Sequence, residues 1–336
     1  MTTLTLEEIA QQLITPEKGI LAADQPSWHL AERLEALNQP IQENTYRDWC
    51  HLLFSTPDLS AHVSGIIMHP EAVDLATDDG KSLVDVIRDH DIIAGISPST
   101  GLVPLAGADG EVIGAGLDGL RERFATYAKL GIRFSKWRTA IRIGENIPSA
   151  YAIDANAYTL AQFAALSQEA GIVPIVEPEV ELLGNHTIER CFEVTEWLLN
   201  RTFDALYQHG VQLEGTLLKA NMVVSGADCP TQADVETVAD LTVKVLRRTV
   251  PPAIRGIVFL SGGQTDLKAT AHLNAMNANT TNPWAMTFSY ARALQRAPLA
   301  AWLGNAQAVT QGQAALKHRA NMNALASVGR WSTDLE

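Results

Sequence analysis

The sequence predicts an α/β protein built as a single (β/α)8 TIM barrel, and three observations carry that prediction. Eight short runs of apolar and β-branched residues recur at spacings of roughly 30–45 residues, about the length that a strand, a helix and two loops require. Longer stretches with helical periodicity lie between them. No shift in composition and no Pro/Gly/Ser-rich linker divides the 336 residues. Residues 1–336 are therefore read as one barrel domain with a short N-terminal helix and a C-terminal helical tail. A doubly wound open sheet is the competing architecture. It would carry a glycine-rich phosphate turn after its first strand, where this chain reads Ala22-Ala23-Asp24-Gln25-Pro26.

The expected strands, in order, are Gly19–Asp24, Val63–Met68, Ile92–Ser97, Ile132–Arg138, Ile172–Glu179, Leu213–Met222, Gly256–Gly262 and Trp284–Tyr290. The sixth places Leu213, Gly215, Leu217 and Lys219 on one face at the two-residue period of a strand. Helices are expected over Asp118–Leu130, Asn156–Ala170, Ile188–His209, Gln232–Thr249 and Thr265–Asn277. Thr231 with Asp234 forms a capping-box-like start for the fourth of these, and Pro251-Pro252 stops it. Ala306–Gly329 reads as a further amphipathic helix packed on the outside.

A hydrophobic content of 46% with 19% charged residues supports a large core. The net charge of −13 argues against a general nucleic-acid or anionic-membrane surface, while leaving room for a small phosphorylated substrate in a local basic pocket. Cys50, Cys191 and Cys229 are few and scattered, so neither a disulfide framework nor a thiolate metal site is expected. The N-terminus has no signal-like pattern and no run of about 18 apolar residues occurs, which makes a cytoplasmic protein the expectation. Asn185-His186-Thr187 and Asn279-Thr280-Thr281 fit the glycosylation pattern and are taken as chance matches.

In a barrel of this kind the active site lies at the carboxyl ends of the strands. There the sequence places Asp24 after the first strand, Lys136 and Arg138 on one face of the fourth, and Glu177 and Glu179 on one face of the fifth. Lys219 ends the sixth, Ser261-Gly262-Gly263 the seventh, and Ser289-Tyr290-Ala291-Arg292 the eighth. Each has a structural alternative: Lys136 with Glu177 as an ion pair, the two glutamates as solvated loop residues, the glycines as a turn, Arg292 as a surface arginine. Their convergence on one mouth favours chemistry. A lysine there can attack a ketone as an amine, forming an imine that serves as electron sink for carbon–carbon cleavage. Lys136 would depress the pKa of Lys219, Glu177 would shuttle protons, Asp24 would take a hydroxyl proton, and Glu179 would orient the lysines. Ser261, the amides at Gly262 and Gly263, and Arg292 would hold a phosphate. No cofactor is required. The nine histidines contain no His-x-His or His-Glu-x-x-His pattern, so no metal site is expected.

At these residues the chain resembles the class I, Schiff-base fructose-1,6-bisphosphate aldolases. The stretches that carry the resemblance are Lys18–Asp24, Val103–Gly107, Lys136-Trp137-Arg138, Ile172–Glu179, Leu213–Lys219, Arg247–Pro252, Phe259–Gln264 and Thr287–Tyr290. The resemblance implies that Lys219 is the imine lysine, that Asp24, Lys136, Glu177 and Glu179 complete the catalytic group, and that Ser261, Gly262 and Arg292 hold the donor phosphate. It also implies a glycolytic lyase with a phosphorylated sugar as substrate, and a homo-oligomer, often a tetramer.

The departures concern the aldehyde half. Gln25-Pro26-Ser27-Trp28-His29 stands where the family has Glu-Ser-Thr-Gly-Ser, and Ser97-Pro98-Ser99-Thr100-Gly101 where it has Lys-x-Asp-Lys-Gly. These changes remove the serines and lysines that hold the second phosphate, leaving Ser27, His29, Ser97, Ser99 and Arg138 as candidates for that role. Ala220 replaces a proline, Ala291 replaces a glycine, and Trp331–Glu336 lacks the terminal tyrosine. Two other readings therefore stand beside the default: an aldolase for a different or unphosphorylated aldehyde, and an inactive barrel that serves as a binding protein.

Overall fold

The computed structural model describes residues 4–278 and 281–336, so the match at Asn279 and Thr280 and the first three residues lie outside the described residues. Among the described residues ten strands are formed: β1 (Gly19–Ala23), β2 (Val63–Met68), β3 (Ile93–Ile96), β4 (Gly101–Pro104), β5 (Val112–Ala115), β6 (Phe134–Ile141), β7 (Val173–Val180), β8 (Leu217–Ala220), β9 (Gly256–Phe259) and β10 (Ala285–Tyr290). Eight of them close into a parallel barrel in the order β1-β10-β9-β8-β7-β6-β3-β2. Helices cover the outside, as parallel crossovers require.

The alternation of strand residues sets up two cores. Inward-facing Ile20, Ala22, Ile67, Phe134, Val173, Ile175, Leu217 and Val258 fill the barrel, together with Ile9, Ala10, Leu13 and Ile14. The latter four come from the N-terminal helix Leu6–Leu13 and the residue after it, which close the N-terminal end of the barrel. That helix starts in a capping box, with the Glu8 amide donating to Thr5 Oγ1 at 3.2 Å and the Thr5 amide to Glu8 Oε2 at 2.7 Å. With this end plugged by apolar side chains, the charged interior residues Lys136, Glu177 and Lys219 gather toward the opposite, carboxyl end of the strands. A Cβ on Gly95 would lie 2.3 Å from Phe134 Cζ, so that glycine makes room for the ring at the barrel centre.

Three expectations are corrected. The long sixth strand is β8 alone. Leu213–Gly215 forms a 3₁₀ turn instead, because Gly215 packs against the plugging helix, where a Cβ would lie 2.7 Å from Leu6 Cβ. Only Leu217 and Lys219 then keep the proposed common face. Asp234, rather than Thr231, caps the helix Val235–Thr249, accepting from the Thr237 amide at 2.8 Å. The helix expected from Asn156 begins at Ala150, capped by Ser149.

An antiparallel hairpin, β4 with β5, was not anticipated; its first strand is exposed along its whole length and so lacks the alternating pattern of a half-buried strand. The tail forms the helix Val309–Ala326, and beyond it Glu336 pairs with the buried Arg319 and accepts from Trp331 Nε1 at 2.9 Å. Among the described residues no helix is long and apolar enough to cross a membrane.

Candidate active site

The inward stripe that is apolar low in the barrel turns polar at its carboxyl end. Lys136 and Arg138 continue the face of Phe134 on β6, Glu177 and Glu179 continue that of Ile175 on β7, and Lys219 follows Leu217 on β8. With Asp24, Ser261, Gly262, Ser289, Ala291 and Arg292 they line a cavity of about 410 Å3. Of the residues expected to do the chemistry or to hold the donor phosphate, Gly263 is outside the cavity wall. It stands behind the wall with φ +98°, and a Cβ there would lie 3.4 Å from the Arg292 guanidinium.

At the floor, Lys136 Nζ lies 2.6 Å from Asp24 Oδ2 and 3.0 Å from Glu177 Oε2, and Lys219 Nζ lies 3.1 Å from Glu177 Oε1. Glu177 therefore bridges the two lysines with its two oxygens. Two ammonium and two carboxylate groups make the buried set neutral overall, which is what allows four charged side chains to be held out of water. Burial works against the charge of Asp24, but Lys136 and then Lys219 outweigh it and hold the carboxyl down at about 2. Glu177 is lowered in the same way, burial being overcome by Lys136 and Lys219. Lys136 is raised: burial alone would depress it, and Asp24 and Glu177 more than compensate. It stays a cation through the neutral range.

These shifts predict a pH dependence. The folded pKa of Asp24 is below its ordinary 3.8, so the stability it contributes is present above about pH 4 and is lost as the pH falls toward 2. Its size is on the order of 2 kcal/mol. In urea titrations, wild type should exceed Asp24→Asn in stability at pH 7 and at pH 5, and the gap should shrink between pH 4 and pH 2.

Glu179 corrects one expectation. It pairs with Arg138 instead of orienting the lysines, and Arg138 also bonds Glu181 at 3.1 Å, itself held by Arg142 at 2.8 Å. Of the residues considered for the second phosphate, His29 lines the cavity, while Ser27, Ser97 and Ser99 are not part of its wall. The Ser27 amide is engaged by Glu71 Oε2 at 3.0 Å. Arg138 is in the wall but already meets two carboxylates.

Charge without a carboxylate partner among the described residues gathers at Arg292 and Arg33, beside His29. Arg292 has no ion-pair partner among the described residues; burial and then Arg296 lower its pKa. Arg33 donates to Gln25 Oε1 at 3.1 Å and Gln295 Oε1 at 3.4 Å, and burial followed by Arg296 and Arg292 holds it at about 10. Such mutual depression means that guanidinium groups crowd together, and an arriving dianion relieves it. Ser289 Oγ is buried and has no hydrogen-bond partner among the described residues, so it is available to bond a ligand. Sequence reasoning missed Arg33; its signal was the four-residue spacing from His29, which puts both on one face of the helix Ser27–Glu35. It also missed Glu181, two residues beyond Glu179 on the same face.

A barrel that buries a lysine against a bridging carboxylate, with unpaired guanidinium groups alongside, is consistent with a metal-independent, imine-forming aldolase. Comparison with known proteins agrees with that class. The sequence model of the family described as fructose-bisphosphate aldolase class-I matches residues 5–336, and the chain belongs to that family. It is 48% identical over 335 residues to the "Probable fructose-bisphosphate aldolase class 1" of Xanthomonas campestris pv. campestris, covering 98% of this chain and 99% of the relative. It is 45% identical over 323 residues to "Fructose-bisphosphate aldolase 4, cytosolic" of Arabidopsis thaliana, covering 96% and 82%. The fructose-bisphosphate aldolase of Plasmodium falciparum, solved in complex with TRAP and a small-molecule inhibitor, superposes with a TM-score of 0.95 at 41% identity, covering 97% and 95% of the two chains. The protein is thus a class I aldolase, an aldehyde-lyase of the TIM-barrel kind.

Proposed function

We propose that this chain cleaves and forms the C3–C4 bond of fructose 1,6-bisphosphate through an imine on Lys219, giving dihydroxyacetone phosphate and glyceraldehyde 3-phosphate. The observation that carries the assignment is the Glu177 bridge between Lys219 and Lys136. Lys219 passes a proton to Glu177 and attacks C2 of the open-chain ketose. Glu177 returns the proton to the departing hydroxyl, water leaves, and a protonated imine remains. Asp24, kept ionised by Lys136, accepts the C4 hydroxyl proton. The C3–C4 electron pair then flows into the iminium and the aldehyde departs. Protonation at C3 and addition of water reverse imine formation and release the donor product. Lys136, held as a cation, stabilises the carboxylates on either side of it as their protons move. Ser261, the Gly262 amide, Ser289 and Arg292 hold the C1 phosphate.

The complete lysine–carboxylate set weighs against the inactive binding-protein reading. The relative named as cytosolic supports a cytoplasmic enzyme, and the family resemblance supports a homo-oligomer, which sedimentation would measure. Because the imine takes the role of electrophile, cleavage of fructose 1,6-bisphosphate should proceed at an undiminished rate after exhaustive treatment with a chelator. Activity that was lost to the chelator and restored by a divalent metal would contradict the proposal.

A further inference from the structure

A second cavity lies behind the turn that follows β9. At about 630 Å3 it is larger than the active-site cavity of about 410 Å3. It opens where the helices Val235–Thr249 and Asp266–Ala278 begin. Leu182, Val224 and Val238 give it apolar walls, while Asp234, Glu236 and Lys268 in its lining are exposed. Gly263 lines this cavity on one side and stands against the Arg292 guanidinium on the other. The turn at residues 261–264 is therefore the partition between the two cavities.

Inside this cavity the decisive polar group is His272, which is 5% exposed. Its Nδ1 lies 2.6 Å from Oε1 of Gln264, whose Nε2 donates to Met222 Sδ at 3.5 Å. An amide oxygen only accepts, so Nδ1 carries the ring proton and Nε2 keeps its lone pair. That lone pair has no hydrogen-bond partner among the described residues and is not sealed from solvent. Burial, followed by Lys268, lowers the pKa of the ring to about 4, so it is neutral at pH 7. Apolar walls thus surround one nearly buried acceptor. An anion would meet that lone pair and two carboxylates, and a cation would leave water without a buried counter-charge. An uncharged ring bearing one N–H or O–H donor fits, and the volume is usual for small-molecule pockets, which span about 300–1,000 Å3.

We infer that this cavity is a second ligand site, which takes an uncharged ring with an N–H or O–H donor to His272, and that its occupant tightens binding of the donor phosphate. A donor on Nε2 polarises the imidazole and strengthens the Nδ1 bond to Gln264, because hydrogen bonds in a chain reinforce one another. Gln264 closes the phosphate turn. Its carbonyl oxygen accepts from Arg296 Nη1 at 3.0 Å, and the same nitrogen pairs with Asp266 at 3.0 Å. Steadying Gln264 steadies the amides that meet the phosphate, and by linkage the phosphate tightens the ring in return. The coupling rests on the reading of Ser261, Gly262 and Arg292 as the donor-phosphate site; the ligand preference of the cavity does not.

Equilibrium dialysis with indole, a flat ring with a single N–H, tests the site, and 1-methylindole, which lacks that donor, is the control. Wild type should bind one indole per chain with a Kd of about 1 mM or tighter, and 1-methylindole about ten-fold more weakly. His272→Asn keeps a donor where Nδ1 stood and removes the acceptor. It should bind indole about ten-fold more weakly while keeping the wild-type kcat, which also reports that it is folded. In wild type, the concentration dependence of borohydride trapping should show dihydroxyacetone phosphate bound about five-fold more tightly at saturating indole, with no shift in the variant. No saturable binding of indole, or binding indifferent to N-methylation and to His272→Asn, would overturn the site. Indole that binds as expected and leaves the affinity for dihydroxyacetone phosphate unchanged would overturn the coupling. Absence of trapping in wild type would instead overturn the active-site reading beneath the coupling, while the indole measurements still decide the cavity.

Discussion

Lys219→Met should lower kcat/KM for aldol cleavage by about 10,000-fold or more, the largest effect of any single substitution in the chain. Methionine matches the length and unbranched shape of the lysine, and the strand below it is anchored by Leu217, which is fully buried. It removes the nucleophile while Lys136 still pairs with Asp24 and Glu177, so that the variant keeps one cation for two carboxylates. Folding should survive and catalysis should not. Stopped-time product assays at high enzyme concentration would measure the residual rate, and circular dichroism would verify the fold. Retained activity would place the covalent chemistry elsewhere.

Glu177→Gln should have the next largest effect, on two observables at once. Glu177 is 3% exposed and contacts both lysines through separate oxygens. The amide keeps the shape but removes the proton carrier, which is expected to lower kcat by about 100- to 10,000-fold. It also leaves two buried ammonium groups facing a single carboxylate, Asp24. Breaking a buried pair by removing one partner costs about 3–5 kcal/mol, so the urea midpoint at pH 7 should fall markedly. A variant with a low rate and unchanged stability would show that the bridge is catalytic without being structural. The reverse result would remove Glu177 from the mechanism.

The cluster could be anticipated from the sequence because strand alternation is strict. Once Phe134, Ile175 and Leu217 are assigned inward, Lys136, Glu177 and Lys219 must follow them to the mouth. What alternation cannot supply is register. In the barrel Arg138 stands opposite Glu177 in the pairing of β6 with β7, yet its side chain reaches Glu179, and Lys136, opposite Ile175, reaches Glu177. The strands are staggered and tilted, so each cation meets the carboxylate two residues along. Glu179 was for that reason assigned to the lysines when it belongs to Arg138. The hairpin of β4 and β5 escaped for a different reason: outside the barrel it buries little and leaves no periodic trace. Arg33 lies within a helix whose polar residues look like a solvated face, and only the Arg292 and Arg296 groups near it mark it as part of a cationic surface.

The most direct measurement is reduction of the enzyme with borohydride in the presence of dihydroxyacetone phosphate, followed by intact-mass analysis and peptide mapping. The account predicts one reduced adduct per chain, on the peptide that contains Lys219, and none in Lys219→Met. An adduct on Lys136 or any other lysine, or no adduct under conditions where cleavage proceeds, would contradict it.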